Sequence, residues 1–256
     1  MVPEIVTPAF VLHARSYGES DRIVTFLTAV AGKVTGIAKG AKNSRRRFAG
    51  TLEPFVHVRL VFRPRPHADL VFLVRCELLE AYRRFTADLY RFAAGSYVLE
   101  LTDRMVLGQE PGGDVYRLVH ETLALLDAGG PVDPLLRAFE LHLLAQTGWA
   151  PALDACRACG APFAAAAAYL AVERGGLLCR SCVPADARVR PVGAATIAAL
   201  HRLASAPLAA AAATDAPVLA EAAIVSELLL AAVSPTPLRS REFLARTRVD
   251  SAGTVR

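Results

Sequence analysis

The sequence predicts an α+β multi-domain protein, and three observations lead to this prediction. The first 80 residues contain short runs of β-branched and aromatic residues separated by turn residues, which is typical of a small five-stranded β-barrel. From about residue 83 the apolar residues recur at every third or fourth position, which indicates helices. Between two helical stretches, four cysteines form two C-x2-C pairs, which indicates an inserted zinc ribbon. The predicted domains are therefore a barrel over residues 1–80, a helical domain over 81–256 and, within it, a four-cysteine zinc-binding insertion over 150–186.

The charge is distributed unevenly along the 256 residues. The net charge is +5, yet residues 1–84 hold 14 Lys+Arg against 7 Asp+Glu, so the remainder of the chain nets to −2. The mean hydropathy is +0.35, but no run of about 18 apolar residues lacks a charge or a helix breaker. The first residues, MVPEIVTPAF, lack the basic patch and apolar stretch of a secretory signal. A cytoplasmic location is therefore expected, where thiols stay reduced.

The N-terminal strands are predicted at residues 9–15, 23–28, 33–39, 55–62 and 70–76. In the fourth of them, residues 56, 58, 60 and 62 are apolar and alternate with a partly polar set, which predicts one buried face. Five strands suit a barrel of the OB type, which binds oligonucleotides across one face and its flanking loops. A barrel of the SH3 type has much the same strand number.

A basic segment, residues 32–50, has the sequence GKVTGIAKGAKNSRRRFAG and carries six cations with no carboxylate. These six are the predicted DNA-binding residues: Lys33, Lys39, Lys42, Arg45, Arg46 and Arg47. Cations projecting from such a segment are typical of a phosphate-binding surface. The alternative is a solvated basic loop that only keeps the protein in solution. Phe48 and Phe55 lie near these cations and could stack on bases, although a core position is more usual for phenylalanine.

Helices are predicted at residues 86–106, 114–127, 194–204 and 218–233. A further helix is predicted between them, with Asp133 as its N-cap, Pro134 at its first position and Gly148 just past its end. Ser240 is the predicted N-cap of a short last helix. Four ring-bearing residues of the helical region are expected to pack in the core rather than to bind a ligand: Tyr97, His120, His142 and Trp149.

The most specific local pattern is C-x2-C-x19-C-x2-C, formed by Cys156, Cys159, Cys179 and Cys182. Two such pairs can bring four thiolates to one tetrahedral zinc ion, which is favoured over free thiols or disulfides at this spacing. Four cysteine ligands leave no open position for water or substrate, so the zinc is predicted to be structural. Cys76 stands apart and is predicted to be a buried thiol. Three arginines of the ribbon could touch DNA or simply be solvated: Arg157, Arg174 and Arg180.

Catalytic motifs are missing from the sequence. It contains no G-x-x-x-x-G-K-[ST], no G-x-S-x-G and no H-E-x-x-H, and His120-Glu121 is followed by the wrong residues for a metalloprotease helix. No catalytic residue is therefore predicted, and the protein is not expected to be an enzyme.

Four segments in order carry a resemblance to a known family: HARSYGESDRIVTFLT, GKVTGIAKGAKNSRRRFAGTLEPF, GWAPALDACRACG and LRSREFL. Together they resemble the RecO family of bacterial recombination mediators, over nearly the whole chain. The resemblance implies a protein that binds single- and double-stranded DNA, anneals complementary strands, and helps RecR to load RecA onto DNA coated by single-strand-binding protein. It also implies a nucleoid-associated location in the cytoplasm, and a docking site in the helical domain for the acidic tail of single-strand-binding protein. An OB-fold RNA-binding protein or a zinc-ribbon transcription accessory protein is the alternative that the residues alone permit.

Overall fold

A computed structural model describes residues 3–66, 68–108, 113–163, 167–185, 187, 189–212, 214–234 and 236–248. The chain forms two compact units, residues 1–128 with 238–256, and residues 129–237. The first unit contains the strands of the N-terminal region together with three helices. The domain boundary predicted after residue 80 falls inside the first unit and stays a prediction.

Five strands close into a barrel in the order β1-β2-β3-β5-β4. The strands are β1 (Ile5–Tyr17), β2 (Asp21–Thr28), β3 (Gly32–Ala38), β4 (Val56–Arg63) and β5 (Val71–Ala81). This confirms the predicted five-stranded OB-type barrel followed by helices. β1 and β5 each extend several residues beyond the predicted strands.

The barrel closes where β3 meets β5, through the parallel pairs Gly36–Val71 and Ile37–Phe72. A Cβ atom on Gly36 would lie 2.5 Å from Cδ2 of Leu73, so only glycine fits at this position without a shift of the core. The interior is filled by apolar side chains from all five strands and includes Cys76, which is the buried thiol that the sequence predicts.

The alternation predicted for β4 is only partly observed. Its inward residues are buried as expected, but His57 and Val61 on the other face are buried too. His57 is covered because it stacks on Phe10 of β1 and hydrogen-bonds Tyr116 of a following helix. Period-two patterning alone could not show that a helix covers this face of the strand.

The helices are α1 (Leu89–Met105), α2 (Gly113–Asp127), α3 (Val132–Gln146), α4 (Ala194–Ser205), α5 (Ala216–Val233) and α6 (Arg239–Thr247). In the first unit, Asp88 caps α1 by accepting hydrogen bonds from the N–H groups of Tyr90 and Arg91 at 2.9 and 3.1 Å. A Cβ on Gly95 would lie 2.6 Å from the rings of Phe55 and Phe85, so glycine permits the close approach of α1 to both rings.

Two predicted helix caps are wrong. Leu238 is the N-cap of α6, and Ser240 lies inside the helix, where its N–H and hydroxyl donate to Glu100 of α1 at 2.8 and 2.5 Å. Pro131 is the N-cap of α3, because the N–H of Leu135 donates to the Pro131 carbonyl and starts the helix before Asp133. The predicted helix end is confirmed by its position, since Gly148 adopts φ +87° directly after the last turn.

The second unit combines α3, α4 and α5 with a small three-stranded sheet. Its strands are β6 (Ala168–Ala171), β7 (Gly176–Leu178) and β8 (Arg190–Val192), in the order β7-β6-β8. Within the part of the chain that the structure describes, α5 is the one helix long and apolar enough to cross a membrane by length and composition. It carries Glu221 and Glu227, and about a third of it is buried in the structure.

Candidate nucleic-acid interface and metal centre

The six predicted DNA-binding cations do not form one group. Lys33 lies near the start of β3 and Lys39 directly after its end, which places their backbones about 20 Å apart at a strand rise of about 3.3 Å per residue. The ammonium group of Lys33 lies 3.2 Å from the Asp103 carboxylate and donates to the Asp103 carbonyl oxygen at 2.6 Å. Its charge is therefore largely engaged with α1.

The other five cations follow β3 in the chain, and two of them, Lys39 and Lys42, contact residues at the turn between β1 and β2. Residues 39–47, which we name the basic loop, contain all five. The Lys39 ammonium group contacts the Asp21 carboxylate at 2.7 Å, and the Lys42 ammonium group donates to the Gly18 carbonyl at 2.9 Å. The hydrogen bond from Lys39, followed by the N–H of Gly40, lowers the pKa of Asp21 to about 2.

Backbone hydrogen bonds fix the basic loop at both ends. The N–H of Lys42 donates to the Ser20 carbonyl at 3.0 Å, and the N–H of Cys76 in β5 donates to the Arg47 carbonyl at 2.8 Å. The Arg47 guanidinium also donates to the Lys39 carbonyl at 2.7 Å, which closes the loop on itself. The basic loop is therefore held against the barrel.

Arg45 and Arg46 are the least engaged cations of the basic loop. Both are exposed, and within the described ranges neither forms a hydrogen bond or an ion pair. A polyanion approaching the loop would meet these guanidinium groups without first having to break an internal contact. Such groups suit bidentate binding of phosphate.

The two phenylalanines considered as stacking platforms are buried. Phe48 lies in the barrel core, and Phe55 stacks on Phe85 with ring centroids 4.6 Å apart. An exposed aromatic side chain that the sequence interpretation missed lies nearby. Tyr17 at the end of β1 is half exposed, beside Gly18, to which Lys42 is bonded, and Arg15 lies two residues earlier on the same face of the strand. The sequence does contain a signal for this exposed position, because Tyr17 comes directly before the turn residues Gly18-Glu19-Ser20.

The four ribbon cysteines converge as their spacing predicts. Their sulfur atoms all lie within 4.8 Å of one another, and those of Cys159 and Cys179 are 3.8 Å apart. Four sulfurs bound tetrahedrally at about 2.3 Å from a zinc ion are about 3.8 Å apart. The donor set and its dimensions therefore fit a metal ion, and they are consistent with zinc.

Electrostatics at the cysteine cluster also suit a cation. Burial acts to raise the pKa of Cys156, but N–H groups led by that of Cys179 lower it to about 6. Contacts with Cys179 and then Cys159 raise the pKa of Cys182 to about 12, because neighbouring sulfurs compete to carry negative charge. A bound divalent cation removes this competition and allows all four thiols to ionise.

The ribbon arginines are partly engaged in local contacts. Arg180 donates to the Tyr169 hydroxyl at 2.8 Å, and Arg157 donates to the carbonyl of Arg174 at 3.3 Å. These hydrogen bonds hold the cysteine loops against the β6–β7 hairpin. They give the arginines a structural role near the metal centre.

The barrel and the cysteine cluster define a class of proteins that join an OB-type barrel to a helical region with a four-cysteine metal site. Comparison with known proteins then gives the family. Residues 1–82 match the family model described as "Recombination protein O N terminal", and residues 86–242 match "Recombination protein O C terminal". The chain therefore belongs to the RecO family of DNA repair proteins.

Curated relatives agree with this assignment. The chain is 44% identical over 202 residues to DNA repair protein RecO of Anaeromyxobacter sp. (strain K), covering 79% of this chain and 80% of that protein. It is 39% identical over 197 residues to DNA repair protein RecO of Syntrophus aciditrophicus (strain SB), covering 76% of both. It is 41% identical over 196 residues to DNA repair protein RecO of Geobacter sulfurreducens, covering 76% and 78%.

Proposed function

We propose that this protein is a DNA-binding recombination mediator of the RecF pathway. It binds single- and double-stranded DNA, anneals complementary strands and helps RecR to load RecA onto DNA coated by single-strand-binding protein. It works in the cytoplasm at the nucleoid and does not itself break or form covalent bonds. Membership of a DNA repair family supports this proposal, and the observation that carries it is the cluster of five cations in the basic loop.

The basic loop is the proposed main contact with DNA. Arg45 and Arg46 bind phosphates directly, while Lys39, Lys42 and Arg47 add positive potential from positions fixed against the barrel. Lys33 makes a weaker, separate contact, because Asp103 already neutralises much of its charge. Phosphate binding by such cations releases counterions, which makes the affinity depend steeply on salt.

Tyr17 supplies the proposed aromatic contact that single-strand binding needs. Stacking of a base on an aromatic side chain contributes about 1–3 kcal/mol and tolerates any base. Tyr17 is exposed at the edge of the cationic surface, whereas Phe48 and Phe55 are buried. This arrangement favours binding of single strands with little sequence preference.

Zinc is the proposed metal of the cysteine cluster, and its role is structural. Cys156, Cys159, Cys179 and Cys182 would hold it, and the four thiolates would fill its tetrahedral coordination. The helical domain is the proposed docking region for the acidic tail of single-strand-binding protein. RecA is engaged only indirectly.

The test replaces Arg45, Arg46 and Arg47 together by Ala in the full chain. With single-stranded DNA, each lost phosphate contact flattens the slope of log affinity against log salt by about 0.7, so loss of the two direct contacts of Arg45 and Arg46 flattens it by about 1.4. A matched control replaces Arg59, Arg63 and Arg75 by Ala, which removes the same charge from exposed arginines that are paired with Glu77 or Glu4. The loop variant should bind DNA more weakly, and its affinity should depend less steeply on salt. The control should keep most of its affinity and of its salt dependence. Equal losses in the two variants would refute a DNA site at the basic loop.

A second measurement separates this function from RNA binding. Affinity for a single-stranded DNA and for an RNA of the same sequence is compared, and annealing of complementary DNA strands is followed with and without cognate single-strand-binding protein. The proposal predicts annealing of coated DNA strands that the loop variant performs poorly. Preferential binding of RNA without annealing of DNA would favour an RNA-binding protein instead.

A further inference from the structure

A second cluster of metal-binding side chains lies in the first unit, apart from the cysteine cluster. His57 of β4, Glu80 of β5 and His120 of α2 each offer one donor atom, and these three atoms lie within 4.8 Å of one another. Neither family membership nor the proposed DNA binding gives these residues a role. His120, which the sequence suggested to be a core residue, is nearly half exposed.

The barrel register brings two of the three together. His57 and Glu80 are directly opposite in the antiparallel β4–β5 pair, so their side chains project from the same face of the sheet. The register shifts immediately after His57, and a bulge of this kind turns side chains away from regular alternation. The strands therefore present an imidazole and a carboxylate side by side.

The helix α2 supplies the third group and its support. Tyr116 and His120 are four residues apart, so they lie on the same face of α2. The Tyr116 hydroxyl is 2.5 Å from Nε2 of His57, and Nε2 of His120 is 3.5 Å from the Glu80 carboxylate. Two donors on one tetrahedral zinc ion are about 3.3–3.6 Å apart, so the His120–Glu80 separation already matches.

The His57 ring is held in one orientation before any ion binds. Phe10 stacks on it with ring centroids 4.6 Å apart and an interplanar angle of 13°, and the Tyr116 hydroxyl occupies Nε2. In the tautomer in which Nε2–H donates to the Tyr116 hydroxyl, Nδ1 is the nitrogen with a lone pair for a metal ion. A metal-binding histidine whose second nitrogen is hydrogen-bonded to a supporting group is the usual arrangement at protein metal sites.

We propose that His57, Glu80 and His120 form a second metal site, which binds a divalent first-row transition ion such as zinc. Two imidazoles and one carboxylate form a donor set that these ions favour. Because His120 and Glu80 are partly exposed, water completes the coordination, unlike at the closed cysteine site. The bound ion joins β4 and β5 of the barrel to α2 and stabilises the first unit.

The experiment counts zinc ions in the full chain by competition with a chromophoric chelator. The wild-type protein should bind one zinc more than the His120→Ala variant and one more than the Glu80→Gln variant. The control is His13→Ala, an exposed histidine that lies near Asp103 rather than in this cluster, and it should bind as many zinc ions as the wild type. Because the result is a difference between variants, the cysteine site contributes equally to every total.

The Tyr116→Phe variant tests the supporting contact. It keeps all three ligands but removes the hydroxyl at His57, and such a loss typically weakens metal affinity by about 10- to 100-fold. Substitution with Co²⁺ provides a second readout, since the extra site should add absorption without the sulfur charge-transfer bands of the cysteine site. Equal zinc totals in wild type and His120→Ala would overturn the proposal, whatever the cysteine site binds.

Discussion

The barrel and the ribbon are both small β structures, but different forces stabilise them. The barrel surrounds a core to which every strand contributes large apolar side chains. The ribbon has three strands of three or four residues, and its buried apolar residues, such as Leu170, Leu177 and Leu178, are fewer than those of the barrel. The cluster around the cysteines is smaller still, with Cys156, Ala171 and Leu178 as its buried members, so it contributes little to offset the entropy of ordering the cysteine loops. The barrel is therefore stabilised by its own core, whereas we expect the cysteine loops of the ribbon to depend on the cross-link that the proposed metal ion would supply.

The largest expected effect is loss of the ribbon when its metal is lost. We predict that Cys179→Ser, or removal of metal by a chelator, unfolds residues 152–192 and leaves the barrel folded. Binding of zinc contributes an apparent free energy of about 10–16 kcal/mol to the folding of zinc-finger peptides, which is far more than a core of this size supplies. Hydrogen exchange of backbone amides measures both regions in one sample.

The matched control for this prediction is Ala158→Ser, which changes an exposed residue between two of the ligands. It should leave exchange in both regions unchanged. If the ribbon amides of the Cys179→Ser variant stay as protected as those of the control, the ribbon does not depend on the metal and the comparison fails.

A smaller effect is expected from disturbing the closure of the barrel. In Gly36→Ala the new Cβ would lie 2.5 Å from Leu73 and 2.7 Å from Val71, so the core must shift. Overpacking of this kind costs about 1–3 kcal/mol. Chemical denaturation followed by strand-specific probes should show a destabilised barrel and an unchanged zinc content.

Gly193→Ala is the control glycine substitution, because a Cβ there would make only an ordinary contact of 3.5 Å with Glu221. It should change the free energy of unfolding by less than about 0.5 kcal/mol. A Gly36→Ala protein as stable as this control would show that the closing pair of strands contributes little.

The smallest effect concerns the attachment of α6 in the first unit. Partial burial acts to raise the pKa of Glu100, but hydrogen bonds from Ser240 and Arg239, with the charge of Arg104, lower it overall from 4.5. A carboxylate with a lowered pKa stabilises the fold at pH values above the unfolded pKa and loses this effect as the pH falls through the folded one. After allowing for its partial exposure, Glu100→Gln should cost about 1 kcal/mol at neutral pH.

The pH dependence distinguishes this contribution from general destabilisation. The difference in unfolding free energy between wild type and Glu100→Gln should be constant above about pH 5 and shrink in more acidic solution. Glu242→Gln, on the exposed side of α6 where Glu242 pairs with Arg246, is the control and should show little change at any pH. A difference that persists undiminished at about pH 2 would contradict the role of the carboxylate.

Features that depend on neighbouring residues could be predicted from the sequence, and features that depend on register could not. The five strands follow from local alternation, and the cysteine cluster follows from a spacing that closes over a hairpin. The separation of Lys33 from the other cations depends on the length of β3 and on Asp103, which is distant in sequence. The cluster of His57, Glu80 and His120 depends on strand register and on how α2 packs against β4. Trp149, expected in the core, is more than half exposed, because α3 has already ended at Gln146.

The tethering of the basic loop has a consequence for the thermodynamics of DNA binding. Fixing the backbone of one residue costs about 1–2 kcal/mol in conformational entropy. Backbone hydrogen bonds from Lys42 to Ser20 and from Cys76 to Arg47 already order the loop in the folded protein, so this entropy is lost on folding and not on binding. If DNA binds at this loop as proposed, only side chains become ordered on binding, and the heat-capacity change should lack the large negative value that accompanies coupled folding. A loop with the same cations but without these hydrogen bonds would become ordered only on binding, and part of the free energy of its DNA contacts would then offset that loss of entropy.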